Sequence, residues 1–217
     1  MIKALLFDFD GVILESAGIK TAAYRKLFER EYPDKVEDFM EYHAVNVGIS
    51  RYVKIQYFYE QILGIKITGK KKEELLDKFS QIVFNEILQA SFIKGIPEFL
   101  EKNYKIFSLF VVTGTPDEEI NSIIEKRKLN FYFKEIHGSP KEKKDIIFDI
   151  LSRYKWNPGE VVFFGDAQSD LRAAKETGVI FVAILNNDST VLENCKYKIR
   201  DFQGFKIENL LMRGEKL

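Results

Sequence analysis

The feature that most constrains the fold is a set of short apolar runs, most of them ending just before Gly, Asp or Thr and followed by a helix-like stretch. The runs are Ile2–Phe7, Ile106–Val112, Val161–Phe164 and Ile180–Leu185, with Phe133–His137 a weaker member. Runs of this length, rich in Val, Ile and Phe at successive positions, predict strands buried on both faces. Thr115-Pro116-Asp117-Glu118-Glu119 reads as a helix start, with Pro in the first turn and acids favoured by the helix dipole. Leu171, Ala174 and Thr177 keep one helical face up to Gly178, a C-cap residue. Strand–helix alternation over residues 106–185 predicts an α/β chain with a parallel sheet and right-handed crossovers.

One region breaks the alternation. Residues 16–90 hold no buried-strand pattern and read as helices over Ile19–Glu31, Arg51–Leu63 and Glu73–Leu88. Loop signals at Tyr32-Pro33-Asp34, Asn46-Val47-Gly48 and Gly64–Lys72 separate them. One crossover needs far less chain, so the prediction is a core of residues 1–15 and 91–217 carrying a small helical domain, 16–90. Lys70-Lys71-Lys72 before Glu73-Glu74 reads as a solvated helix start. Tyr52, Tyr57, Phe58 and Tyr59 read as packing residues of that domain.

Composition narrows the partners. Lys+Arg and Asp+Glu number 33 each in 217 residues, so no net charge draws the chain to nucleic acid or an anionic membrane. A small anionic ligand needs only a local patch and stays open. The one cysteine, Cys195, fits a reducing compartment and reads as a small filler or surface thiol. Four apolar residues before Asp8 are too few for a signal-peptide core, and no run approaches the roughly 18 needed to span a bilayer. The expectation is a soluble cytoplasmic protein. The sequence leaves the oligomeric state open.

Four segments at strand ends carry the chemistry. Asp8 and Asp10 in Phe7-Asp8-Phe9-Asp10-Gly11 follow the first strand, where open α/β sheets place ligands. Two such acids can hold a hard cation such as Mg2+, or one can attack phosphorus. In Gly165-Asp166-Ala167-Gln168-Ser169-Asp170, Asp166 is a candidate metal ligand and Asp170 a supporting carboxylate or N-cap. Thr113-Gly114-Thr115 offers a hydroxyl and main-chain N–H groups to anionic oxygens, or an ordinary helix cap. Gly138-Ser139-Pro140-Lys141-Glu142-Lys143-Lys144 brings three lysines that compete for one charge-neutralising role.

In this order, these segments together resemble the haloacid dehalogenase superfamily, over the whole core. The resemblance implies a Rossmann-like parallel sheet with Asp8 as nucleophile and Asp10 as general acid/base. Thr113 and a lysine would hold phosphoryl oxygens, and Asp166 with Asp8 and the Asp10 carbonyl would bind Mg2+, supported by Asp170. The Lys-Pro-x-Pro setting common in the family is absent. Gly-Ser-Pro-x-x-Lys is similar to a variant used by some members and favours Lys143, with Lys141 its rival. Glu15-Ser16 stands where phosphoglycolate-phosphatase-like relatives carry Asp-Ser or Asp-Thr. Members that cleave carbon–halogen bonds lack the second aspartate, so Asp10 implies phosphoryl chemistry.

Only 30 positions separate Thr113 from Lys143, leaving the helical insertion as the cap, as in the phosphoglycolate phosphatase and β-phosphoglucomutase branch. Its Gly48-Ile49-Ser50-Arg51 loop, with Lys54 one turn on, is the candidate substrate contact alongside Gly114; a solvated helix N-terminus is the competing reading. His43 could serve as a mutase acid/base. The expected activity is Mg2+-dependent hydrolysis of a small phosphorylated metabolite, against a phosphomutase or a non-catalytic phospho-ligand-binding relative.

Overall fold

The computed structural model describes residues 1–185 and 192–212. Six strands form one parallel sheet in the order β3-β2-β1-β4-β5-β6. They are β1 (Ala4–Phe7), β2 (Ser108–Pro116), β3 (Glu135–Ser139), β4 (Val161–Gly165), β5 (Ile180–Ile184) and β6 (Tyr197–Ile199). Helices α5 (Ile96–Asn103), α6 (Asp117–Lys126), α7 (Lys143–Tyr154) and α8 (Gln168–Thr177) connect them, and α9 (Glu208–Met212) follows the last strand.

Alternation along each strand explains why both faces are covered. Leu5, Phe7, Val111, Val162 and Phe164 point into one apolar layer with Phe99, Ile120 and Ile124. Leu6, Phe110, Val112, Val161 and Phe163 point into the other, against Ile146, Ile150 and Ala174. Phe7 stacks on Phe164 at 5.0 Å between ring centroids. Each fully buried side chain of this size contributes about 1.5–3 kcal/mol.

Strand register assembles the site. Phe7 is level with Val111 on one side and Phe164 on the other, so the residues just beyond these positions emerge together at the C-terminal edge. The Asp8 N–H donates to the Phe164 carbonyl at 2.9 Å, extending the pairing one residue past β1.

Four helices occupy the long connection after β1: α1 (Ala17–Phe28), α2 (Val36–Val45), α3 (Arg51–Tyr57, continued by a π-helical turn to Ile62) and α4 (Gly69–Gln89). Leu75, Phe79, Val83 and Ile87 recur every fourth residue on α4 and are buried. Tyr24, Phe28, Phe39 and Phe58 complete an aromatic cluster, Phe28 stacking on Phe58 at 3.9 Å. Tyr57 stacks on Tyr42 at 3.6 Å, as packing residues of the insertion should.

Element ends differ from the sequence reading for local reasons. Ile106 is exposed, so β2 begins later than the apolar run; it also runs further, with a register shift between Val112 and Pro116. Helix α2 escaped the reading because loop signals flank a weak apolar pattern, with Phe39 and His43 its inward residues. The Thr68 hydroxyl accepts from the Lys71 N–H at 3.2 Å and starts α4 a turn early, with the lysine triplet in its first turn. The three-residue β6 is too short to leave a pattern. Among the described residues no helix is long and apolar enough to cross a membrane.

Candidate active site

Asp8, Asp10, Thr113, Gly114, Arg51 and Asp166 line one cleft of about 510 Å³, part of it open to solvent. Asp8 sits at its base, 2% exposed. Its Oδ2 lies 3.1 Å from Lys143 Nζ, while its buried Oδ1 has no hydrogen-bond partner among the described residues. A buried carboxylate oxygen left so is costly until a ligand or cation completes it.

Lys143 starts α7 and is itself buried. Its ammonium also donates to Asp170 Oδ1 at 2.5 Å, and Asp170 Oδ2 accepts the Ala167 N–H at 3.1 Å. Asp170 thereby orients the lysine and closes the turn after β4. Burial alone would pull the Lys143 ammonium down, but the Asp170 and Asp8 carboxylates outweigh it and hold it protonated. Lys141 is exposed and lines a neighbouring cleft with Ser50. The geometry separates the two rivals that the sequence left together.

Carboxylate oxygens of Asp8, Asp166 and Asp170 lie within 4.8 Å of one another. Burial, with the charges of Asp8 and Asp170, pushes the Asp166 carboxyl well above the usual range. Three carboxylates this close could hold a metal ion, and oxygen donors suit a hard one. Gly11 shapes the same corner. It holds φ +78°, and a Cβ there would fall 2.0 Å from Asp166 Oδ2.

The Asp10 carboxylate stands outside that group and has its own partners. It accepts from Ser16 Oγ at 2.6 Å and Thr115 Oγ at 3.1 Å, and it is ion-paired with Lys20. Burial opposes its ionisation, yet the Lys20 charge and the hydrogen bonds from Lys20, Ser16 and Thr115 prevail and hold it below the usual carboxylate range. Both Asp10 carboxylate oxygens are thus engaged by the protein's own donors. Sequence reasoning did not single out Lys20, and it named Ser16 only within Glu15-Ser16; Ser16 is the N-cap of α1 and Lys20 lies four positions on, one turn along the helix start. Thr113 is buried, its Oγ accepting the Thr115 N–H at 3.3 Å.

The insertion supplies the opposite wall. Gly48 (φ +81°) brings its loop against the core, where a Cβ would meet Ser169 Oγ at 2.4 Å; Ser169 Oγ donates to the Val47 carbonyl at 3.1 Å. Ser50 is the N-cap of α3, accepting the Tyr52 N–H at 3.3 Å. Arg51 lines the cleft, but its guanidinium is committed to Glu119 (2.6 and 2.8 Å) and Ser80 (2.7 Å). Buried Lys54 donates to His43 Nδ1 at 2.8 Å, and the Thr21 hydroxyl sits 3.0 Å from His43 Nε2.

The phosphorylated carbohydrates phosphatase of Thermotoga maritima is similar to this chain, 27% identical over 204 residues that cover 88% of this chain and 91% of that one. A phosphoglycolate phosphatase of Synechococcus elongatus is 20% identical over 186 residues, 84% of each. Among solved structures, β-phosphoglucomutase from Clostridium difficile shares the fold with a TM-score of 0.78 at 20% identity, over 98% of this chain and 97% of that one. The acids at two adjacent strand ends, the lysine between them and the helical insertion are thus one arrangement, and the model of the haloacid dehalogenase-like hydrolases, which matches residues 5–184, places the chain in that family.

Proposed function

We propose that the chain is a Mg2+-dependent phosphatase that hydrolyses a small phosphorylated metabolite through an aspartyl-phosphate on Asp8. The observation that carries this is the split environment of Asp8: Oδ2 is neutralised by Lys143 at 3.1 Å, and buried Oδ1 has no hydrogen-bond partner among the described residues and stays available to phosphorus. Relatives that act on phosphorylated carbohydrates and phosphoglycolate support the substrate class.

In the first step an Asp8 oxygen attacks phosphorus, and the bond to the leaving oxygen breaks. Asp10 gives that oxygen a proton, taken up from solvent as the substrate dianion arrives beside it and raises its affinity. In the second step Asp10 removes a proton from water, whose oxygen attacks phosphorus. The acyl-phosphate P–O bond breaks, freeing phosphate and restoring the Asp8 carboxylate. Lys143, the Thr113 hydroxyl and the Gly114 N–H hold the phosphoryl oxygens.

Asp8, Asp166 and the Asp10 carbonyl are the donors assigned to Mg2+, with Asp170 supporting them. When bound, the cation supplies positive charge against the repulsion between a carboxylate nucleophile and a phosphate dianion. Residues 16–90 act as a cap over the core of residues 1–15 and 91–217, excluding water and contacting the substrate. Such a reaction suits a cytoplasmic enzyme. A phosphomutase is the weaker reading, because both ring nitrogens of His43 are engaged, and burial with the Lys54 charge drives its imidazole down to about 3.

Hydrolysis of an aryl phosphate with Mg2+ tests the proposal. It should vanish in Asp8→Asn and on chelation, and hydroxylamine should trap an acyl phosphate in the wild type. Turnover surviving in Asp8→Asn overturns the mechanism.

A further inference from the structure

A second cleft, of about 810 Å³ and partly open to solvent, lies beside the first, and Gly48, Ile49 and Gly114 line both. The wall between them is backbone: a Cβ on Gly114 would fall 2.7 Å from the Gly48 carbonyl oxygen. Ser139 at the end of β3, the start of α7, and Arg172 and Glu176 of α8 line the second cleft. Ser139 is 2% exposed, and its buried Oγ has no hydrogen-bond partner among the described residues. A hydroxyl left so is costly, because folding strips its water and returns nothing. An acceptor brought by a ligand would complete it.

The surroundings of Ser139 favour an anion. Helix α7, 12 residues long, opens here with no side-chain cap, since Glu142 at its N-cap position accepts nothing from the first turn. Main-chain N–H groups at such an end carry partial positive charge. The acids of the cleft are already engaged, Glu142 and Glu176 both pairing with Lys144, at 3.4 and 3.2 Å. Lys143 lies against the cleft too, but its ammonium is spent on Asp8 and Asp170. Arg172, by contrast, forms no ion pair with any described residue. Its planar guanidinium fork matches the oxygens of a phosphate.

We propose that the second cleft binds a phosphate-type oxyanion, separate from the phosphoryl group at Asp8, with the Ser139 hydroxyl, the first turn of α7 and the Arg172 guanidinium as its donors. A tetrahedral oxyanion presents acceptors in several directions, which suits donors drawn from a strand end and two helices. Free phosphate and the phosphoryl end of a larger metabolite share this chemistry. Binding in the second cleft needs no turnover at Asp8.

The test is calorimetric titration of the wild-type protein in Mg2+ with orthophosphate and, separately, with propylphosphonate. Wild type should take up two orthophosphates per chain, one in each cleft. Ser139→Ala/Arg172→Met should lose the uptake in the second cleft, and Thr113→Val the uptake in the first. Ser139→Ala alone should weaken the second uptake by about tenfold, the scale of one hydrogen bond to a charged acceptor. Tighter second-cleft binding of orthophosphate identifies free phosphate as the occupant, and tighter binding of propylphosphonate identifies a metabolite. Without added anion, Ser139→Ala should melt no lower than wild type, because the lost hydroxyl had no partner; a clear drop overturns the assignment. Uptake unchanged in the double variant, or a single uptake that only Thr113→Val removes, overturns the proposal, as does no uptake at all. A single uptake removed by the double variant leaves it standing and counts against the phosphoryl site at Asp8.

Discussion

Arg51 and Glu119 form a buried two-bond ion pair, 2.6 and 2.8 Å, that ties α3 of the insertion to the first turn of α6 in the core. Ser80 of α4 closes the triangle, donating to Glu119 at 2.7 Å. Removing one partner strands the other in the interior, at a cost of about 3–5 kcal/mol. Arg51→Met should therefore lower the urea midpoint sharply, and the Arg51→Met/Glu119→Met double variant should recover most of the loss. An additive double variant would show that the pair contributes nothing as a pair.

Lys143 and Lys141 differ by two positions and by their surroundings. Lys143 touches Asp8 and Asp170, whereas Lys141 is exposed. Lys143→Ala should reduce kcat/KM by about 100-fold or more, the scale of losing a charged donor at a reacting oxygen. Lys141→Ala should stay close to wild type in the same phosphate-release assay. Similar losses in both variants would count against this assignment.

Magnesium should raise the melting temperature of the protein, by about 2.7 kcal/mol of stability at one hundred times its dissociation constant. Asp166→Ala should abolish that rise. Gly11→Ala places a methyl group on Asp166 Oδ2 and strains a left-handed residue by about 1–2 kcal/mol, so it should weaken both the stability and the Mg2+ response. A Gly11→Ala protein with an unchanged Mg2+ titration would show that the corner tolerates displacement of Asp166.

The His43 imidazole is neutral in the fold, held down to about 3 by burial and the Lys54 charge, against an ordinary value of 6.5. Between those values the unfolded chain binds a proton that the native state does not, so stability rises with pH across that window. The contribution is present in full above 6.5 and is lost as pH falls toward 3. Urea titrations at pH 6.5 and 4 should show a larger acid loss for wild type than for His43→Gln. Equal losses would mean that the ring protonates without unfolding the site.

Strand–helix alternation, the helical insertion with three of its four helices, and the acids at the strand ends were legible in the residues, because apolar runs and their terminators are local properties of the chain; α2, with its weak apolar pattern, was not. The lysine was not. Lys141, Lys143 and Lys144 differ only in the direction each takes from one turn, and α7 begins at Lys143. Nor were the partners of Asp10 and Arg51. Ser16 caps α1 and Lys20 lies in it, 6 and 10 positions after Asp10, and whether they reach its carboxylate depends on how that helix packs over the sheet; Glu119 is 68 positions from Arg51.

Local pattern therefore determined most of the elements, α2 and β6 excepted, and which residue types crowd the C-terminal edge of the sheet. Tertiary structure decided how the charges are shared out. Lys20 goes to Asp10, Arg51 to Glu119 and Lys143 to Asp8 and Asp170, while Lys54 keeps a neutral histidine. The physical reason is that a buried charge is governed by whatever lies within a few ångströms of it, and those neighbours come from different helices, strands and loops whose meeting only the packing decides. A zero net charge summed over the chain carries no record of that local distribution.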